Sequence, residues 1–153
     1  MHTIAEIDKM GAGPELDLLI AEKVMGYPII DVTPPCDHNV TPYVTHIAVF
    51  SPTQIHYHRA LGNEKQNYMW GIWQPSTDIA QAWEVVEKLR DSFHYVSIIF
   101  AHEGNFQVQD PRYSISISEF DEKLNQRIEV GLNAAPTAPL AICRAALKAI
   151  CTP

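Results

Sequence analysis

The stretch RYSISIS, residues 112–118, decides the fold class, because large and small side chains alternate along it without a break. Successive side chains of a strand point to opposite faces, so Tyr113, Ile115 and Ile117 share one face and three serines share the other. One apolar face and one lighter face are typical of an antiparallel sheet that is covered on a single side. The stretch therefore predicts an antiparallel sheet with a packed layer on its apolar face.

Three further segments have strand character and complete the predicted sheet. VTHIAVF (44–50) and HYVSIIF (94–100) are rich in β-branched and aromatic residues. QRIEVGL (126–132) alternates again, with an apolar face formed by Ile128, Val130 and Leu132. Because the strand segments follow one another along the chain, we expect hairpins between them rather than βαβ crossovers.

A first helix is predicted over GPELDLLIAEKVMG (13–26), where apolar residues recur at helical spacing. Pro14 suits the first helical position, and Gly26 suits the C-terminal stop. The apolar stripe leaves Asp17 and Glu22 to one side, so both carboxylates are expected in solvent.

Two more helices are predicted over 75–91 and 137–150. The middle helix has an apolar face formed by Ile79, Ala82, Trp83, Val86 and Leu89. The predicted buried face of the last helix is formed by Leu140, Cys143, Leu147 and Ile150. Helices at both ends and in the middle predict an α+β layered sandwich of a mainly antiparallel sheet with about three helices, in a single domain over residues 1–153.

Composition and charge exclude several classes of function. The net charge is −7 and the eleven basic residues are scattered, which excludes duplex nucleic acid as a partner. No apolar stretch approaches the roughly 20 residues that cross a bilayer, and no signal peptide is present, so we expect no membrane partner and a cytoplasmic location. The three cysteines form no CxxC pair; Cys143 and Cys151 suit small core residues, and Cys36 has no assigned role.

The segment IHYHRALGNEKQNYMWGIWQPSTD (55–78) is loop-like and concentrates the residues that carry chemistry. Its aromatic rings offer faces on which bases stack, at roughly 1–3 kcal/mol per base, and its arginine can bind phosphate. We expect ligand contact within residues 55–73, supplemented by a phosphate clamp from the last helix if that arginine points into a pocket. The predicted ligand-binding residues are His56, Tyr57, His58, Arg59, Tyr68, Trp70, Trp73 and Arg144.

Other interpretations of this segment stay open. His56 and His58 lie two residues apart and share one face of a strand, where they could act as acid and base on a phosphodiester. With His46 nearby, the same pair could hold a divalent metal ion, although no metal and no cofactor is assigned. The aromatic residues also suit a subunit interface, and Trp70 and Trp73 could simply pack beneath the sheet.

Three blocks of the chain resemble the phage ABA-sandwich domain, a family of small bacteriophage proteins. They are GPELDLLIAEKVMG (13–26), PSTDIAQAWEVVEKL (75–89) and APLAICRAAL (138–147). The resemblance implies an α/β/α-type sandwich and a phage or prophage origin, and it transfers no catalytic motif. The chain departs from the family pattern over residues 36–74, an aromatic and histidine-rich insertion, so a function special to this protein is expected there.

The resemblance and the insertion together suggest a phage accessory protein that binds and sequesters a small nucleotide immune messenger. Such a protein would be a homo-oligomer in the host bacterial cytoplasm. The alternatives are a histidine-dependent phosphodiesterase that cleaves the nucleotide, and a non-enzymatic protein-interaction or structural phage component.

Overall fold

The computed structural model describes residues 2–27, 29–30, 46–51, 54–60, 68–91, 95–101 and 112–151, with side chains placed for 2–27, 72–91, 95–99 and 113–151. Within these ranges the chain forms four α-helices and seven strands. In chain order they are α1 (Ile4–Lys9), α2 (Pro14–Leu19), β1 (Ile29–Ile30), β2 (His46–Ser51), β3 (Gln54–Ala60), β4 (Tyr68–Ile72), α3 (Ile79–Asp91), β5 (Tyr95–Ala101), β6 (Arg112–Asp121), β7 (Gln126–Ala135) and α4 (Ala138–Cys151).

Strands β5, β6 and β7 form an antiparallel sheet in chain order. Ile115 and Ile117 are fully buried on its inner face, as the alternation of residues 112–118 predicted. The opposite face, named the outer face below, carries three rows of paired residues. These rows are Tyr95–Ser118–Glu129, Ser97–Ser116–Leu132 and Ile99–Ser114–Ala134.

A β-bulge in β7 changes which residues face inward. The pairing passes from Ile117–Gly131 directly to Ser118–Glu129, which leaves Val130 as the extra residue. The alternation therefore shifts by one position, and Leu132 is 47% exposed instead of buried. The prediction that Leu132 continues the apolar face of Ile128 and Val130 is wrong for this reason.

Helix α4 packs under β6 and β7 and also contacts the other three helices. Most of its residues are buried, as expected for a helix that is packed on more than one side. Gly131 permits the close approach to β7, because a Cβ at this position would collide with the carbonyl oxygen of Ala145 and lie 3.2 Å from the Cβ of Ala149. Of the four residues predicted to form the buried face of α4, only Ile150 is exposed, at 40%.

Sequence reasoning missed helix α1, although its first residues carry a capping box. The backbone N–H of Glu6 donates to Thr3 Oγ1, and the backbone N–H of Thr3 donates to Glu6 Oε2 at 2.7 Å. The hydrogen bonds that the backbone N–H and the hydroxyl of Thr3 donate to the Glu6 carboxylate lower the pKa of Glu6. The predicted helix over 13–26 is confirmed: α2 continues through a π-helical turn at Ile20–Val24, and Gly26 ends it at φ +69°.

Helix α3 begins at Ile79, four residues after the predicted start at 75, and exposes part of the predicted apolar face. Asp78 caps it, accepting hydrogen bonds from the backbone N–H groups of Ala80 and Gln81. Ile79 and Trp83 are 54% and 49% exposed, so their assignment to the core is wrong. The Gln81 side chain bonds the backbone of residues 72 and 74, which orients the helix with Ala82, Val85, Val86 and Leu89 buried.

Strands β1 to β4 form a second sheet, in which β1 pairs parallel to β2 and the other pairs are antiparallel. Strand β3 lies against α2. Two parts of the segment predicted to be loop-like, 54–60 and 68–72, are therefore strands. The α+β layered class is confirmed, with two sheets in place of one and four helices. Within the described ranges, none of these helices is long and apolar enough to cross a membrane.

Candidate functional site

Three adjacent strands of the second sheet align the histidine and aromatic positions of the candidate site. The register pairs His46 with His58 and His58 with Trp70, so these three positions form one row across β2, β3 and β4. His56 lies two residues from His58 and opposite Ile72. Because paired positions and positions two apart lie on the same face of a sheet, this face collects the histidines.

The same register divides the predicted ligand-binding residues between the two faces. Tyr68 is paired with Ala60 and belongs to the face of His56, His58 and Trp70, named the histidine face below. Tyr57 and Arg59 occupy the alternate positions, which belong to the opposite face. Ile72, the last histidine-face position of β4, is 39% exposed, so this edge of the histidine face is open to solvent.

The structure places Trp73 in the core. Its side chain is 2% exposed, and its Nε1–H donates to the backbone carbonyl oxygen of Asp17 at 3.0 Å. The ring of Tyr27 packs edge-on against it with 5.5 Å between ring centroids. Trp73 therefore joins the second sheet to α2, which is the packing role that the sequence left open for it.

Asp17 is the ionisable residue that sequence reasoning missed. It was predicted to lie in solvent, but only 2% of its surface is exposed. Its Oδ1 accepts a hydrogen bond from the backbone N–H of Ser76 at 2.8 Å, and Ser76 Oγ accepts one from the backbone N–H of Gly13. Burial raises the pKa of Asp17 to about 6, against the lowering effect of the hydrogen bonds from Ser76. The apolar stripe of α2 is thus wider than the spacing of its apolar residues indicated.

Two ionisable residues of α4, Cys143 and Arg144, have packing or hydrogen-bonding roles. Cys143 is fully buried, and burial together with the charge of Asp17 raises the pKa of its thiol. It is a core residue, as predicted. Arg144 donates from Nε and from one terminal nitrogen to the backbone carbonyl oxygen of Met10, so its guanidinium holds the connection between α1 and α2.

A cluster of three polar residues, Asp8, Asn133 and Lys148, links α1 to the β5–β7 sheet. Lys148, only 7% exposed, donates to the carbonyl oxygen of Leu132 and lies 2.5 Å from the carboxylate of Asp8. Asp8 also accepts a hydrogen bond from the side-chain amide of Asn133. Among the described residues, no donor pairs with the buried Oδ1 of Asn133. A buried lysine so paired fastens the N-terminal helix to β7.

A groove of about 570 Å³ lies between α1, the π-helical turn and the end of α4. Buried Ile7 and Leu147 contribute to its lining, together with His2, Leu19, Glu22, Lys23, Ile150 and Cys151. The Nζ of Lys23 is paired with Glu22 at 2.6 Å. Since this lining includes no Phe, Tyr or Trp ring and no arginine, the groove suits a small apolar group better than a nucleotide.

No three His, Cys, Asp or Glu side chains come close enough to hold a metal ion in the part of the chain whose side chains are placed. About half of the predicted insertion over 36–74, including Cys36, falls in residues 36–45, 52–53 and 61–67, which lie outside the described residues. The chemistry within reach of the described backbone is therefore that of the histidine face.

Comparison with known proteins gave one family. A family model described as the phage ABA sandwich domain matches residues 18–147, most of the chain. No curated protein and no solved structure matched. The match spans both sheets and three of the four helices, from within α2 to the last turns of α4. The chain therefore belongs to the phage ABA sandwich domain family.

Proposed function

We propose that this phage-family protein binds a small nucleotide messenger on the histidine face and holds it without cleaving it. Sequestration of such a messenger would blunt a bacterial immune response that depends on it. The observation that carries the proposal is the row His46–His58–Trp70 together with Tyr68, which occupies the same face two residues before Trp70. Open sheet faces that carry aromatic residues are used elsewhere to stack bases.

The spacing of the two aromatic positions fits a base. Tyr68 and Trp70 lie two residues apart on β4, a separation of roughly 7 Å along a strand. Two rings at that separation can accept one base between them, and each stacking contact contributes roughly 1–3 kcal/mol. The histidines of the same face supply hydrogen-bond donors for phosphate oxygens.

The proposal also fits the charge of the chain. A net charge of −7 opposes the binding of a long polyanion, whose affinity depends on many lysine and arginine contacts. A ligand with one to three phosphates needs only a few local donors. Small nucleotides are thus the phosphate ligands that this composition tolerates.

A second function is favoured by one specific observation, the position of a third histidine. His46 pairs directly with His58, and His56 is its diagonal neighbour. Opposite and diagonal positions in antiparallel strands are roughly 5 to 8 Å apart, a range from which three imidazoles can reach one divalent ion. Such an ion would activate a water molecule for phosphodiester hydrolysis. The protein would then be a phosphodiesterase in place of a sponge.

The experiment that separates these functions is an incubation with a panel of cyclic dinucleotides, cyclic trinucleotides and ADP-ribose derivatives. Protein and free ligand are separated, the complex is heated, and the released compound is identified by mass spectrometry. Sequestration predicts release of the intact nucleotide, both with and without EDTA. Hydrolysis predicts a cleaved product that disappears in EDTA and in His58→Ala, with His2→Ala as the control for an exposed histidine elsewhere.

Matched tryptophan variants locate the site. Trp70→Ala removes a ring position from the histidine face and should weaken retention roughly 5- to 150-fold, which corresponds to one lost stack of 1–3 kcal/mol. Trp83→Ala removes a half-exposed tryptophan from α3 and should leave retention unchanged. Arg59→Ala, on the opposite face, should weaken retention less than Trp70→Ala. Absence of both retention and product across the panel would reject both nucleotide functions and direct the search to a protein partner.

A further inference from the structure

The outer face of the β5–β7 sheet exposes several large apolar side chains together. Tyr95, Ile99, Phe120 and Leu132 are each 47–56% exposed. In the central strand, Ser114 and Ser116 separate them with small side chains. A sheet face with bulky edges and a small-residue centre lets a second sheet approach closely, since stacked sheets lie about 10 Å apart.

The two charged groups with placed side chains on this face, Arg127 and Glu129, already have partners within the chain. The guanidinium of Arg127 lies 4.1 Å from the centre of the Tyr95 ring. Ser116 Oγ donates to Glu129 Oε2 at 2.8 Å. Both charged groups would therefore keep a partner when the face is covered, which lowers the cost of their desolvation.

The charge of the face identifies the partner. The ionisable side chains placed on the face are Arg127 and Glu129, and Arg112 occupies a further outer-face position, paired with Ala101, so the face has no excess of negative charge although the whole chain carries −7. Two copies meeting elsewhere on an acidic surface would repel each other, whereas they can meet here without net repulsion. A two-fold axis also brings a patch onto itself, so one charge of each sign allows the arginine of each copy to approach the glutamate of the other.

We propose that two copies of this chain associate through the outer face of the β5–β7 sheet. The face measures on the order of 30 Å by 14 Å, from strand rise and strand spacing. Such a face buries roughly 400 Å² per copy, which is the size of weak, transient interfaces, so we expect a weak dimer that forms within the concentration range tested below. The inference does not depend on nucleotide binding, because the histidine face belongs to the other sheet.

Sedimentation velocity of the full chain, from about 1 to 200 µM, tests the proposal. The wild type should shift from monomer to dimer across this range. Ile99→Glu should raise the dissociation constant at least tenfold. The matched control is Ile79→Glu, which places the same charge at an isoleucine of equal exposure (54% against 56%) on α3 and should leave the constant unchanged.

A crosslinking measurement keeps the test independent of any folding defect. Ser116→Cys, in the central strand, should give a disulfide-linked dimer under mild oxidation, while Thr77→Cys, exposed in the turn before α3, should not. A wild type that stays monomeric to 200 µM would overturn the proposal. An equal effect of Ile79→Glu and Ile99→Glu, or equal crosslinking of the two cysteine variants, would overturn it as well.

Discussion

Replacing Asp17 with asparagine should stabilise the protein at neutral pH, because the native carboxylate is ionised in a buried site. Burial raises the pKa of Asp17 from 3.8 to about 6 in the folded chain. Between these two values the folded state holds a proton that the unfolded state has released. The stability that Asp17 contributes is therefore complete below pH 3.8 and is lost as the pH rises through 6.

The size of the effect follows from the two pKa values. Each unit of difference corresponds to 1.36 kcal/mol, so ionisation of Asp17 costs about 3 kcal/mol of stability above pH 6. Asparagine has nearly the same shape and retains an oxygen that accepts the hydrogen bond from the backbone N–H of Ser76. Asp17→Asn should match the wild type near pH 4 and exceed its free energy of unfolding by up to about 3 kcal/mol at pH 7.5.

The assay is urea unfolding of both proteins at half-unit steps from pH 4 to pH 7.5, followed by circular dichroism. The difference between the two free energies isolates Asp17, since the other titrating groups are common to both chains. Glu15→Gln removes an exposed carboxylate from the same helix, and its difference from the wild type should stay within about 0.5 kcal/mol at every pH.

Two outcomes would refute the reasoning. A difference between Asp17→Asn and the wild type that is constant with pH would mean that the carboxylate does not change its protonation in this range. A variant that is less stable than the wild type at pH 7.5 would mean that the hydrogen bonds from Ser76 outweigh the cost of burying the charge. Asp17→Ala, which leaves the Ser76 N–H without its partner, should be destabilised by roughly 1–3 kcal/mol relative to Asp17→Asn.

Three further predictions concern packing and anchoring. Gly131→Ala places a methyl group against the α4 backbone and should lower the free energy of unfolding by at least about 1–3 kcal/mol, measured by urea titration, while Gly11→Ala, in open space, should change it little. Trp73→Phe removes the indole N–H and the five-membered ring from a buried site and should lower the free energy of unfolding by more than the roughly 1 kcal/mol of the lost hydrogen bond, in the same titration. Arg144→Leu removes the bond to the carbonyl of Met10 and should speed amide hydrogen exchange in α1 without changing nucleotide retention; weakened retention with unchanged exchange would return the arginine to the ligand site.

The candidate site was predictable in composition but not in arrangement. Histidine spacing alone placed His56 and His58 on one face, and that much needed no structure. The pairing of His46 and Trp70 with His58 depends on strand register, which is set by long-range contacts and turn geometry. The position of Trp73 could not be predicted either. It lies one residue past the end of β4, and its ring enters the core, where the carbonyl of Asp17 accepts its hydrogen bond. A list of aromatic residues could not separate it from Trp70.

The sequence by itself determined the fold class, three of the four helices and all three strands of the β5–β7 sheet. Those features depend on local periodicity: the alternation of residues 112–118 and the apolar spacing of 79–89 and 140–147 are visible without any partner. The blocks that carried the family resemblance are of the same kind, and the family match over residues 18–147 bears it out.

Tertiary structure alone decided which residues on those elements are buried. The bulge at Val130 turned Leu132 outward, and the packing of α2 against the 73–76 turn buried Asp17. In both cases the outcome depends on contacts between segments far apart in the chain, where a one-residue shift in pairing or one hydrogen bond from a distant backbone outweighs local preference. Side-chain periodicity gives the faces of an element, and only its neighbours determine which face meets solvent.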